Sequence, residues 1–379
     1  MTEQPSALGP LRVLDFSRVL AGPFATMLLG DLGAEVTKVE RPGAGDDTRA
    51  WGPPYDPSGE ATYFQSVNRN KTGLALDLDD PADRATARRL AERADVLVEN
   101  FRPGVMDRRG LGHPELSAVN PRLVYCSISG FGTGAGAGLP GYDLLVQAVG
   151  GLMSITGPAG GEPQKAGVAV VDVLTGLFAT VGILAALRHR DATGEGQLVS
   201  VDLLSCLLAA LVNQAAAHTS GGVTPARIGN RHPSIAPYEL FPTADGDLVL
   251  AVGNNRQFRA LCGVLGVPGL ADDARFATNP DRVAHRDALA AALRAALATR
   301  PAAEWAAECA AARVPAGTVN DVAGAFRLAA GLGLDPVVAV PRPDGTAVRL
   351  PRNPIRLSRT GPTYRLPPPP PPGAGRTEG

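Results

Sequence analysis

The chain has 379 residues, 36 basic against 37 acidic side chains and a formal net charge of −1, so it carries no basic field of the kind that nucleic acid or an anionic membrane surface requires. Its length exceeds that of a usual single domain, and 45% hydrophobic residues describe an ordinary soluble protein of about two domains. Cys126, Cys206, Cys262 and Cys309 form no CxxC pair and the five histidines do not cluster, which predicts no metal site and reduced thiols in a cytoplasmic protein. The start, Met1-Thr2-Glu3-Gln4-Pro5-Ser6, lacks the basic and then apolar regions of a secretory signal.

Residues 11–100 read as alternating strands and helices. Leu11–Phe16 is a short apolar strand, and after Ser17-Arg18-Val19-Leu20-Ala21-Gly22-Pro23 a helix with Pro23 in its first turn runs to about Leu32. Ala34–Val39 is the next strand, ending at Glu40-Arg41. A second unit follows the same plan: strand Leu74–Leu78, a cap at Asp80 with Pro81, a helix to about Ala94, and strand Val96–Val98. Such units build a parallel sheet. Leu123–Ile128 is a further strand, leading into the glycine-rich Gly130–Gly138, a flexible flap or a plain loop. A dinucleotide fold fails at its motif, because the first strand–helix turn lacks GxGxxG and the later glycine run does not restore the spacing.

Tyr142 to about Met153 reads as a helix. The almost wholly apolar stretch Ala166–Leu187 then contains one carboxylate, Asp172, followed by Leu174, Leu177, Phe178, Val181, Leu184 and Leu187 at helical spacing. The pattern predicts a buried helix with Asp172 as its N-cap, where the dipole and free N–H groups favour the ionised form. A partly desolvated carboxylate facing a pocket is a candidate nucleophile toward an activated acyl group; capping alone is the plainer alternative. The run is long enough to span a membrane, but Asp172 and several glycines interrupt it, so it reads as core.

Gln197–Val201 reads as a strand, and Asp202 caps an apolar helix to about Ala217. After the linker His218–Pro225, Tyr238–Phe241 and Leu248–Val252 flank an Asp245-Gly246 turn, a hairpin signal, and helical patterns follow at 255–265, 286–299 and 302–312. Proline-broken strands at 337–340 and 347–350 precede Pro367–Pro372 and a Gly/Arg tail expected to be disordered. The division predicted is a large domain over 8–218, a small one over 225–325, a return segment over 326–360 and a tail over 361–379.

The order of these segments resembles the family III CoA-transferases (formyl-CoA transferase/carnitine-CoA-transferase-like) over nearly the whole chain to about residue 360. The resemblance rests on Leu14–Pro23, Leu29–Arg41, Asn68-Arg69-Asn70-Lys71, Ala94–Gly104, Gly141-Tyr142-Asp143, Asp172 and Gly229–Tyr238. It implies an α/β fold, with a Rossmann-like large domain built from both ends of the chain, a smaller α/β domain, and two interlocked subunits. It also implies a reaction. The aspartate matching Asp172 attacks an acyl-CoA thioester, giving a mixed anhydride and CoA thiolate. The thiolate converts the anhydride into an aspartyl-CoA thioester, an acceptor carboxylate regenerates an anhydride, and CoA returns to form the new acyl-CoA. No tightly bound cofactor or metal is implied; coenzyme A and acyl-CoA are substrates.

By position, Val19, Leu20 and Ala21 match the turn along the adenine and pantetheine, Arg41 a basic residue near the nucleotide, and Leu76, Asn100, Phe101 and Arg108 the remaining wall and phosphate contacts. Asp143 matches an acidic residue close to the nucleophile, with helix capping as its structural alternative, and His232 falls in an active-site loop, with a structural histidine before proline as the equal alternative. Formyl-CoA:oxalate enzymes carry a glutamine where this chain has Leu20, and a glycine quartet before the small domain; both are absent, which argues against oxalate. Gly229–Tyr238 and Val252–Phe258 are similar to the succinyl-CoA:glutarate branch, implying succinyl-CoA as donor and a dicarboxylate such as glutarate as acceptor. An acidic helix that usually ends the family is replaced by the proline tail. Two rival readings share the CoA site. An α-methylacyl-CoA racemase needs a histidine–carboxylate pair, and here Tyr142 stands where its Gly-His-Asp motif has histidine. A non-catalytic acyl-CoA-binding paralogue is at odds with the intact Asp172.

Overall fold

Val96-Leu97-Val98 is apolar on every position, the pattern of a strand covered on both faces, and it lies at the centre of a six-stranded sheet. The computed structural model describes residues 6–373; residues 1–5, where no secretory pattern is read, and 374–379, within the expected tail, lie outside the described residues. The strands are β1 (Arg12–Asp15), β2 (Glu35–Glu40), β3 (Lys71–Ala75), β4 (Val96–Glu99), β5 (Val124–Ser129) and β6 (Leu198–Asp202), in the order β3-β2-β1-β4-β5-β6. All pairs are parallel. This is the doubly wound order in which the winding reverses between β1 and β4, and ligands of such sheets bind outside the carboxyl ends of the strands at that point.

The long apolar helix, Val170–Thr193, passes any length and composition test for a membrane span. Val171, Ala179, Ile183, Ala186 and Leu187 nevertheless pack in one core with Val96, Val98, Val124 and Cys126 of the sheet. It also lies along the first helix, Ala21–Asp31. Gly176 is required at that crossing, since a Cβ there would sit 2.7 Å from the Ala21 carbonyl oxygen.

Two compact units divide the chain. The larger takes residues up to Leu152, Lys165–Val223 and the chain from Asp335 on; it holds the parallel sheet and the hairpin β10 (Val337–Pro341) and β11 (Ala347–Pro351). The smaller takes Met153–Gln164 and Thr224–Leu334. Its antiparallel strands β7 (Tyr238–Pro242), β8 (Asp247–Ala251) and β9 (Ala316–Thr318) carry helices Asn255–Val264, Arg286–Leu297 and Ala302–Ala311 around Phe241, Leu250, Phe258 and Trp305.

Several local expectations shift. The strand expected at Leu74–Leu78 is Lys71–Ala75: its ladder with β2 ends where β2 ends, and Leu76 and Leu78 are buried beyond it as core. The helix expected over 142–153 is broken after Val149 at Gly150-Gly151, with Gly151 at φ 88. The one expected from Asp202 to Ala217 becomes Leu203–Ala210 and Val212–Thr219, with Asp202 accepting from the Ser205 N–H as its cap. The proline segment corrects the expectation of disorder through residue 373. Asn70 donates its N–H to the Leu366 oxygen, Arg49 donates to the carbonyls of Pro369 and Pro370, and Pro368 and Pro369 are buried. Pro369 lies against Gly73 on the edge strand β3. Proline has no N–H to offer another strand, so it closes this edge without extending the sheet.

Candidate active site

A cavity of about 300 Å³ opens at the carboxyl ends of β1, β4 and β5, lined by Arg18–Ala21, Asn100–Pro103 and Ser129–Gly132 together with Tyr142 and Asp172. It sits where the sheet reverses its winding, the place its topology predicts for a ligand. No side chain caps the first helix at Leu20, and that end lines the same cavity as Asp172.

Asp172 is not the N-cap that its spacing predicts. The helix begins at Val170 after Ala169, which places Asp172 in the third helical position. The cap comes instead from another helix: the Asp143 carboxylate accepts the N–H of Val171 at 2.8 Å and of Asp172 at 3.3 Å. Its other oxygen accepts from Gln147 Nε2, and Gln147 Oε1 accepts the Ala166 N–H. With Asp143 capping, the Asp172 carboxylate is left to the cavity. The expected stabilisation of its charge is also overturned. Burial, and next the Asp143 charge, push the Asp172 carboxyl up to about 7.

The turn beside it is held from all sides. Asn100 Oδ1 accepts the Arg18 N–H and Asn100 Nδ2 donates to the Arg18 carbonyl. Val19 has φ 68, a left-handed conformation that costs a β-branched residue on the order of 1–3 kcal/mol. Asn100 therefore both lines the cavity and ties β4 to the loop after β1.

A second cavity of about 60 Å³ shares Arg18 and Phe101 with the first and adds Arg41, Leu76 and Arg109. The Arg18 guanidinium lies 4.6 Å from the Phe101 ring centroid. Burial, then Arg41, lowers the Arg18 pKa, and three guanidiniums meet in a small space whose wall also carries the carboxylates of Glu40, Asp77 and Asp79. Arg41 pairs with Asp47 at 2.9 Å and Arg109 with Asp79 at 2.6 Å.

The predicted residues Val19, Leu20, Ala21, Asn100, Phe101 and Asp172 thus share one cavity, and Arg41 and Leu76 line its neighbour. Arg108 is exposed and lines neither; Arg109 takes that place. Asp143 acts on the backbone at Val171 and Asp172. His232 belongs to the smaller unit, where Nδ1 accepts the Ser234 N–H and the ring lies 5.2 Å from that of Tyr238, tilted by 57°. Sequence reading missed Arg18, although it stands inside the matching Leu14–Pro23 stretch. It also missed Tyr63, whose hydroxyl is pushed up to about 12 by burial and then by Asp172, Asp143 and Asp46.

The family model of CoA-transferase family III matches residues 8–376. The chain belongs to that family. This CoA-transferase is 44% identical over 380 residues to a succinate–glutarate CoA-transferase of Agrobacterium fabrum, covering 97% of this chain and 94% of the relative. It is also 44% identical over 350 residues to an acetyl-CoA:oxalate CoA-transferase of Acetobacter aceti, covering 92% and 88%. Among solved structures, a CaiB/BaiF family protein from Brucella suis superposes with a TM-score of 0.85 at 42% identity, covering 97% of this chain and 96% of that one. The enzyme class and the α/β fold are therefore established, whereas the acids named for the relatives differ.

Proposed function

We propose that this CoA-transferase moves CoA from succinyl-CoA to a dicarboxylate such as glutarate, with Asp172 as the nucleophile. The carrying observation is the Asp172 carboxyl in the cavity at the sheet's reversal point, beside the uncapped first helix. In this reading the carboxylate attacks the thioester carbonyl and the CoA thiolate departs, leaving an acyl-aspartyl anhydride. The thiolate then attacks the aspartyl carbonyl and releases the donor acid, giving an aspartyl-CoA thioester. The acceptor carboxylate attacks that thioester, and the thiolate finally takes the acceptor's acyl carbon and frees Asp172. Each tetrahedral oxyanion falls within reach of the backbone N–H groups of the Leu20–Ala21 end, donors with no acidic proton to lose to a thiolate. A carboxylate whose basicity is raised is the stronger nucleophile, and the apolar Phe131, Leu139 and Leu203 around it limit water at the anhydride.

Arg18, Arg41 and Arg109 suit the phosphates of CoA, and Phe101 and Leu76 its apolar arm. The succinate–glutarate relative supports a dicarboxylate acceptor; the oxalate relative, at the same identity, keeps that shorter diacid within the class to be tested. Asp143 is committed to two helix N–H groups and Gln147, and Tyr142 offers no imidazole, so proton exchange at Cα is disfavoured. Leu177, Phe178 and Val181 of the long helix are exposed and apolar at once, which supports an interlocked homodimer. Four buried thiols without a disulfide suit a cytoplasmic enzyme.

The test is an exchange assay with succinyl-CoA and a panel of mono- and dicarboxylic acids, run on the wild type and Asp172→Ala, with products identified by mass spectrometry. A new dicarboxyl-CoA formed by the wild type alone is expected. Turnover by Asp172→Ala, or esters of monocarboxylic acids only, would overturn the reading.

A further inference from the structure

Two charges that the transfer chemistry does not use are wholly buried behind the cavity. Lys38 Nζ and Asp46 Oδ2 meet at 2.9 Å, both side chains 0% exposed. Each also takes hold of the turn after β1. Lys38 Nζ donates to the Ser17 carbonyl at 2.9 Å, and Asp46 Oδ1 accepts the Val19 N–H at 3.3 Å. Asp46 is itself fixed, accepting the N–H and hydroxyl of Thr48 and donating its own N–H to Glu40. The second of these anchored groups belongs to Val19 itself, held at φ 68 where a β-branched residue would not otherwise stay. Two residues further on, the Ala21 carbonyl touches Gly176, one helical turn beyond Asp172. Any relaxation of Val19 is therefore passed to the first helix where it meets the nucleophile's helix.

We propose that the Lys38–Asp46 pair is a positioning device for the transfer reaction: it keeps Val19 left-handed and so aligns the amino end of the first helix with the Asp172 carboxyl. The inference rests on the transferase reading of Asp172. A buried ion pair is a poor source of net stability compared with apolar residues of the same volume, so its retention here has its account in geometry. Neither residue touches the cavity; Asp46 acts through Val19, and Lys38 through Ser17 and Asp46.

The test removes both charges together, so that neither is left buried and alone. Lys38→Met/Asp46→Leu is expected to keep its fold and lower kcat by about 10–100-fold, with KM for the acyl-CoA changed less than about threefold. Adding Val19→Gly should recover about tenfold or more of that kcat, because glycine holds a positive φ without help. A purely structural pair would give no such recovery. Asp46→Asn, which leaves Val19 an uncharged acceptor, is the milder arm should the double variant not fold; it is expected to lose about 3–10-fold in kcat. A crystal structure of whichever variant folds should show Val19 outside the left-handed region. Unchanged kcat, no recovery with Val19→Gly, or Val19 still at positive φ would overturn the proposal. A wild type that transfers CoA to no acid would instead overturn the transferase reading, and the Val19 conformation would still decide the positioning one.

Discussion

Asp172 and Asp143 divide between them two tasks that a single aspartate at a helix start usually combines. Asp143 satisfies the orphan N–H groups, and its charge, after burial, keeps Asp172 at about 7 rather than near 3.8. Attack needs the carboxylate, so kcat/KM for the acyl-CoA is expected to rise with pH along a limb centred near 7. Asp143→Asn keeps an acceptor for the two N–H groups and removes the charge, so the limb should move to lower pH; a limb that stays in place would rule out the assigned cause. The linkage to stability has the opposite sense. With its folded pKa raised, Asp172 contributes stability below about pH 3.8 that is lost as the pH rises through about 7. Asp172→Asn should therefore raise the melting temperature at pH 8 by about 3–6 °C more than at pH 5, followed by calorimetry. Asp172 was legible from sequence as a lone carboxylate in an apolar run. Its partner was not, because Asp143 lies 29 residues away and meets it only through the fold.

At the scale of elements, the first helix and the helix that carries Asp172 approach so closely that only glycine fits between them. An alanine in a helix interior normally gains up to about 1 kcal/mol over glycine. At Gly176 the added Cβ would meet the Ala21 oxygen at 2.7 Å and the Phe24 ring at 3.0 Å, so overpacking wins. Gly176→Ala is expected to cost about 1–3 kcal/mol of stability in denaturant unfolding and at least tenfold in kcat. A variant as stable and active as the wild type would show that the crossing has room to spare. The elements themselves were mostly readable: alternating units up to Val98, the hairpin around Asp245-Gly246 and the two closing strands all formed near their expected positions. Misreadings came where tertiary contacts override local pattern. Lys71 reads as a polar residue before a strand, yet it is buried in β3 because its Nζ meets Asp15, Asn68 and the Pro23 carbonyl.

For the whole molecule, the winding of the sheet places the cavity, and the exposed apolar face of the long helix is the surface the proposed dimer needs. Phe178 and Val181 are 42% and 64% exposed, on the helix that carries Asp172. Sedimentation at micromolar concentration should find a dimer of the 39.0 kDa chain, and Phe178→Glu with Val181→Glu should give monomers with less than about a tenth of the activity. A wild-type monomer that turns over fully would refute the dimer. The proline strap is a feature of the same scale. It reaches Arg49 across 320 residues of chain and docks on β3, so no local signal announces that six consecutive prolines will be docked rather than loose.

What the sequence by itself determined was the class of fold, the lone carboxylate in its apolar run and the motif-borne wall of the cavity, because period, composition and short motifs are local properties of a chain. Tertiary structure alone decided which side chains act on those groups from afar: Asp143 as the cap, Asn100 and Asp46 as the clamps on the Val19 turn, Arg109 in place of Arg108. Those roles depend on distances between residues far apart in sequence. A left-handed valine in particular has no signature in sequence, since its conformation is imposed by its neighbours and opposed by its own side chain.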